Sequence, residues 1–314
     1  MLFRSNFYGL PEPHAIFFTL SRRTEVSIAE LRLREPYCGS QVNCYDASLP
    51  PLPSAEIVES GGLPVLLQRF PDRECAFAPG GERLKYQTVQ NIIFGYPESL
   101  EAVAGEFVLG VSTAGAAEAG RLVETPDVAG DFLAAERAAR AFWQASGVTL
   151  SLPELEKLWY ASLHAKRCVM KSGKLPPGLF LPSTLQDYSS WHGDYHLNYN
   201  YQSNFLGDFE ANHFDTGDAF FTGLAPLMTL GRKIARDYYH CRGCFIQLSG
   251  FPFEVADDYL GTLPLGRMAY MTGWVAAWFY RRWRCSMDRI WLETTGYPAL
   301  REFALFYTDF LTLE

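Results

Sequence analysis

At 314 residues, 48% hydrophobic and 15% aromatic, the chain can fill two domains or one large one around a substantial core. Its formal net charge of −8 excludes nucleic acid as the main partner, because no basic stripe is present to neutralise phosphates, and is compatible with a neutral substrate. No apolar run approaches a membrane span, so no membrane partner is expected, and the opening Met1-Leu-Phe-Arg-Ser-Asn-Phe-Tyr8 lacks a signal-peptide core.

Residues 1–113 read as β. Strand-forming runs occur at Ala15–Leu20, Glu25–Arg34, Val65–Phe70, Asn91–Phe94 and Glu106–Thr113. Turn clusters such as Pro50-Pro-Leu-Pro-Ser54 and Pro79-Gly-Gly81 separate them, and the rhythm is that of a β-sandwich. Residues 114–130, rich in Ala, Gly and acidic side chains, read as a linker.

From Asp131 the periodicity becomes helical. The spacing predicts a helix over Asp131–Ser146. A second opens at the capping box Ser151-Leu-Pro-Glu154 and carries Leu155, Leu158, Trp159 and Leu163. A third covers Gly217–Tyr239, bent near Pro226. Met268–Arg284 is apolar all round and is expected to be buried. Pro298 opens a last helix with Leu300, Phe303, Ala304, Tyr307, Phe310 and Leu311 on one stripe. A short strand near Cys244–Leu248 is the one β signal in this half. The fold class is therefore multidomain, β followed by all-α. The last stripe runs to Glu314 without a cap, which reads as a chain cut from a longer one.

The densest chemistry lies in Trp191-His-Gly-Asp-Tyr-His-Leu-Asn-Tyr-Asn-Tyr-Gln-Ser-Asn-Phe205. Buried carboxamides need a partner for every donor and acceptor, so such a cluster is costly unless it holds something polar. Aromatic faces beside fixed amides suit a sugar. In extended backbone Asn198, Asn200, Gln202 and Asn204 share one face with His196, while Tyr195, Leu197, Tyr199 and Tyr201 take the other. A polar loop capped by its own side chains is the structural alternative. His192 and His196 flank Asp194 at metal-pair spacing, but Gly193 and the alternation argue against a helix, and no third ligand is evident, so no metal is assigned. Asp208, Glu210, Asp215 and Asp218 divide between caps and solvated charge, and His164 and His240 read as structural. Cys241-Arg-Gly-Cys244 is a lone CxxC without a second pair. No phosphate loop, GxSxG elbow or cofactor fingerprint is present, so no cofactor is expected. Trp274, after Gly273, is a candidate stacking platform.

The segment resembles the motif of glycoside hydrolase family 95, the α-L-fucosidases and related enzymes, in which a Trp is followed by Asn-x-Asn-x-Gln-x-Asn and an aromatic. Here that reads Trp191 … Asn198-Tyr-Asn200-Tyr-Gln202-Ser-Asn204-Phe205. Leu175-Pro-Pro-Gly-Leu179 upstream, and Gly273-Trp274, Trp283, Ser286-Met-Asp288, Trp291-Leu292 and Tyr297-Pro298 downstream, extend the likeness over residues 130–314. The resemblance implies an (α/α)6 barrel, of which residues 131–314 would be the N-terminal half, and an inverting exo-glycosidase. In that mechanism an acid protonates the glycosidic oxygen while water attacks the opposite face. The family holds that water with two asparagines, matched by Asn198 and Asn200. Trp191, Asp194, His196, Gln202, Asn204 and Trp274 are then candidate substrate-binding residues. The family's general-acid Glu and polarising Asp lie beyond the helix that ends here, so these 314 residues alone are expected to be inactive. Ser203 stands where the family often has Met, and Asp194-Tyr-His196 varies the usual approach, which leaves the sugar open. The rival reading is a non-catalytic carbohydrate-binding protein using the same aromatic and amide wall. The compartment is not assigned.

Overall fold

The computed structural model describes residues 2–7, 18–21, 53–70, 73–81, 84–89, 92–97, 105–124, 126–179, 194–250, 252 and 268–311. The chain divides into two compact units between Arg137 and Ala138. The Glu25–Arg34 strand expected from sequence, like Trp191 and His192, lies outside the described residues.

The first unit holds eight described strands in two antiparallel sheets. They are β1 (Leu2–Phe7), β2 (Phe18–Ser21), β3 (Glu56–Ser60), β4 (Leu63–Arg69), β5 (Glu74–Gly80), β6 (Leu84–Val89), β7 (Ile92–Pro97) and β8 (Gly105–Ser112). One sheet runs β1-β8-β5-β4-β3 and the other β2-β7-β6. The β3–β4 hairpin turns on Gly61 and Gly62, with φ of 61° and 77° and Ser60 paired to Leu63. Two successive positive φ values suit a two-residue primed turn, which matches strand twist and which glycine enters without strain.

β4 shows how period-two alternation builds layers. Val65 and Leu67 join Ala76, Ala78 and Val108 beneath Ala119 and Val123 of helix α1 (Ala116–Glu124). Leu66, between them, faces the other way with Ile57 and Phe77 and packs with Ile93 and Tyr86 of the smaller sheet. Helix α1 lies within the stretch read as a linker. Gly110 lets it approach, since a Cβ there would collide with the carbonyl of Ala119.

The next helix, α2 (Val128–Ala145), contains the division between units. Helix α3 (Pro153–Val169) follows in the second unit, with Pro153 in its first turn. The expected capping box does not form. Leu152 is the N-cap and makes no side-chain cap bond, while Glu156 reaches back to accept from the Leu150 N–H at 2.8 Å. Leu155 and Leu158 are exposed, and of the predicted stripe only Leu163 is buried.

Beyond come β9 (Tyr195–His196), the short turns α4 (Asn200–Ser203) and α5 (Phe214–Gly217), and the long helix α6 (Ala219–Asp237), which accommodates Pro226 inside it. Then follow β10 (Ser249–Gly250), α7 (Tyr270–Ser286), α8 (Arg289–Trp291), a π-helical turn over Leu292–Gly296 and α9 (Tyr297–Phe310). The predicted strand near Cys244–Leu248 appears just downstream as β10. The main core of this unit joins Phe220, Leu224 and Leu227 of α6, Met271, Val275 and Trp278 of α7, and Phe303 of α9. These fall at helical spacing on each element. Helix α7 is not buried all round, as its composition suggested. Tyr270, Trp274 and Tyr280 are exposed, so its aromatic content splits between a core face and an open one. Arg282, buried on the core side, is bonded through Nε and Nη2 to both carboxylate oxygens of Asp218 at 3.1 Å. Among the described residues no helix is long and apolar enough to cross a membrane.

Candidate active site

The amide-rich segment begins as a strand and does not continue as one. Tyr195 pairs with Gly250 and His196 with Ser249, and the Leu197 N–H extends the ladder to the Leu248 carbonyl at 2.6 Å. On this ribbon the side chains alternate. Tyr195 and Leu197 enter the core, where the Tyr195 ring stacks on Tyr201 with centroids 4.6 Å apart and its hydroxyl donates to the Pro176 carbonyl at 2.6 Å. Burial pushes the phenols of both tyrosines well above their ordinary range. Asp194 and His196, also buried, take the alternate positions, with Nδ1 of His196 3.1 Å from Oδ1 of Asp194.

After Leu197 the backbone turns into α4, and the extended run expected from Asn198 to Asn204 is corrected. The Ser203 N–H donates to the Tyr199 carbonyl at 2.8 Å and the Phe205 N–H to Gln202 at 3.0 Å. The reason is packing. A helical turn places Tyr201 and Phe205, four apart, on one face, and both are fully buried among the aromatics of the core. The hydroxyl of Tyr201 donates to the Phe220 carbonyl at 2.8 Å. The four carboxamides therefore do not form one flat wall.

Each takes a separate place. Gln202 is buried; its Nε2 donates to the Leu197 carbonyl, and its Oε1 has no partner. Asn198 follows the ribbon, with its Oδ1 buried and also without a partner. Asn200 opens α4 and Asn204 closes it, both half-buried. Trp274, 38% exposed on α7, meets Gln202 across a shallow depression of about 190 Å³ that Tyr199, Leu206, Trp278 and Arg281 also line. The structure thus brings Gln202 and Trp274 to one surface and Asp194 to His196. Asn198 and Asn200 are not part of the lining of that depression.

The segment's buried ion pair was missed. Asp208 is fully buried, and Lys166 of α3 donates to its Oδ1 at 2.7 Å and to the Leu206 carbonyl at 2.8 Å. Burial pushes the Asp208 carboxyl up to about 6, against the opposing pull of Lys166. In sequence Asp208 is one of four neighbouring acids, and nothing distinguishes it until the fold brings Lys166 to it. Nearby, His213 is buried, stacked on Phe142 with centroids 4.1 Å apart, and its Nε2 lies 3.1 Å from the Ser146 hydroxyl. Burial, with Lys166 close by, lowers its pKa.

Among the described residues no group of three or more His, Cys, Asp or Glu could hold a metal ion. Cys241 and Cys244 are buried free thiols, and burial pushes Cys244 up to about 12, which disfavours the thiolate a metal would need.

Residues 176–314 match the profile of the "Glycosyl hydrolase family 95 catalytic domain". No curated protein matches the chain. Among solved structures, one described as "Putative kojibiose phosphorylase from human microbiome" is similar at 12% identity and a TM-score of 0.42, covering 80% of this chain and 35% of that one. The chain thus spans about a third of that structure's length. The matched stretch contains the ribbon, the amide segment and helices α4 to α9, and over it the chain is glycoside-hydrolase-like.

Proposed function

We propose that the chain is part of an inverting exo-glycosidase in which Asn198 and Asn200 hold the attacking water. The single observation that carries this reading is the match of residues 176–314 to a glycoside hydrolase catalytic domain, with the amide segment inside it. In this reading the β unit is a sandwich and residues 131–314 form the first half of an (α/α)6 barrel. Exposed Leu155 and Leu158 on α3 support further helices packing there. The substrate is a terminal sugar, α-L-fucose or a related galacto-configured residue.

The geometry supports the roles as follows. An amide oxygen is too weak a base to deprotonate water, but it can accept an O–H and fix the direction of the lone pair. The Oδ1 of Asn198 is buried and has no partner, so accepting from a water satisfies it. Asp194 and His196 hold each other four and two residues before Asn198, on a ribbon anchored to the core. Trp274 offers a ring face to sugar C–H groups beside Gln202. No carboxylate of this chain is assigned as the acid that protonates the leaving oxygen or as the group that polarises the water.

The test reads the open frame past Glu314 and expresses both lengths. The expected result is no turnover of an aryl α-L-fucoside by residues 1–314 above an Asn198→Ala/Asn200→Ala variant. The longer protein turns it over and releases the product anomer inverted, and the same double variant abolishes that. A longer protein that hydrolyses no glycoside, or whose rate survives the double substitution, overturns the reading.

A further inference from the structure

Three carboxamides with buried, unmet atoms flank or bond the residues of one backbone hydrogen bond, that from the Leu197 N–H to the Leu248 carbonyl. Asn198 follows Leu197 and leaves Oδ1 unmatched. Gln202 spends its Nε2 on the Leu197 carbonyl and leaves Oε1 unmatched. Gln247 precedes Leu248, is 4% exposed, and neither its Oε1 nor its Nε2 has a partner. An amide buried with both ends unsatisfied is costly, and folded proteins rarely carry one without a use.

The surroundings of Gln247 show that the group is accommodated without being bonded. A Cβ at Gly250 would lie 3.0 Å from Nε2 of Gln247 and 2.6 Å from Cδ2 of Leu227, so the glycine leaves the room that the amide occupies. Gly250 is itself pinned opposite Tyr195 in the ribbon. The amide is thus held at the crossing of β9 and β10 by packing alone.

The unmet set selects the ligand. It comprises three acceptor oxygens, on Asn198, Gln202 and Gln247, and one NH2 donor. Acceptor oxygens repel an anion, and an NH2 group repels a cation. Hydroxyls both donate and accept, and a carboxamide offering O and NH2 side by side fits two neighbouring hydroxyls of a polyol. We infer that Gln247 is a further sugar-binding residue, which engages a vicinal pair of hydroxyls next to the water held at Asn198. This rests on the glycosidase reading above.

The experiment titrates L-fucose and D-galactose into the wild-type chain, Gln247→Met, Gln247→Asn and Asn198→Ala/Asn200→Ala, and melts each. Met keeps the length of Gln and removes the unmatched amide, so Gln247→Met melts at or above the wild-type temperature while its Kd rises at least about tenfold. Gln247→Asn keeps the amide, shortens its reach and weakens binding in the same direction. Wild-type affinity in both Gln247 variants, with binding still lost in the Asn double variant, overturns the role of Gln247 and leaves the glycosidase reading intact. Variants that melt several degrees lower but bind as wild type assign Gln247 to packing or to an ordered water, and also overturn it. No saturable binding by the wild type removes both.

Discussion

The Nζ of Lys166 lies 2.7 Å from Oδ1 of Asp208, a carboxylate fully removed from solvent and reached from α3 across 42 residues of chain. The folded pKa of Asp208, about 6, exceeds its ordinary value of 3.8, so between these the folded chain holds the proton more tightly. For this group stability therefore rises as pH falls through about 6 towards 4. His213 acts in the opposite sense. Its pKa is lowered, so protonation in acid favours the unfolded chain.

Removing Lys166 leaves Asp208 buried without its charge partner. Lys166→Met is expected to cost about 3–5 kcal/mol near pH 7.5, where the carboxylate must be buried charged. Near pH 5, where Asp208 is protonated, the cost shrinks by more than half. Urea denaturation at both pH values checks this, and an equal loss at the two would contradict it.

Arg282 is a further buried charge with a defined geometry. Besides Asp218 it donates to the Ser286 hydroxyl at 2.7 Å, and its guanidinium lies 4.9 Å from the Phe214 ring centroid and 4.5 Å from that of Trp291. Lysine keeps the charge but loses the planar fork and the stacking. Arg282→Lys is expected to lose about 2 kcal/mol or more, read by thermal or chemical denaturation. Stability within error of wild type would show that the charge alone suffices.

Much of the architecture was readable because local pattern and tertiary packing agree. The run Val65–Phe70 overlaps β4, and the helices expected over Gly217–Tyr239 and from Pro298 form as α6 and α9. The stripe of α9 is shifted, however: Ala299, Phe303 and Phe306 are buried, whereas Ala304, Phe310 and Leu311 of the expected stripe are exposed. Where they disagree, packing prevails. The alternating amides of 198–204 suggest a strand, yet the spacing of Tyr201 and Phe205 closes a helical turn because those rings complete the core. Strand β3 escaped notice although Gly61-Gly62 before Leu63 is a two-residue hairpin signal. Neither the Lys166–Asp208 pair nor the unmatched amide of Gln247 leaves a mark in sequence, since each depends on segments far apart in the chain.

Gly243 sits at φ 80°, and a Cβ there would strike the carbonyl of Glu302 in α9. Gly243→Ala carries both left-handed strain and a backbone clash. It is expected to lose about 2 kcal/mol or more, since left-handed strain alone costs on the order of 1–3 kcal/mol. A loss below about 0.5 kcal/mol, the range of a neutral surface change, would contradict it.

The thiols provide a test of burial. Cys168 and Cys285 are exposed, whereas Cys244 is buried and its thiol is pushed up to about 12. Iodoacetamide labelling followed by peptide mass analysis is expected to modify Cys168 and Cys285 in the native chain and Cys244 only after unfolding. Native modification of Cys244 at a comparable rate would contradict the packing of α6 against the segment before β10.

The most direct test of the central claim is calorimetric titration of L-fucose into the wild-type chain and into Asn198→Ala/Asn200→Ala, with circular dichroism on both. The account predicts saturable binding by the wild type, weakened at least about tenfold in the double variant without loss of helical signal. Equal affinity in the two proteins, or no saturable binding by the wild type, would contradict it.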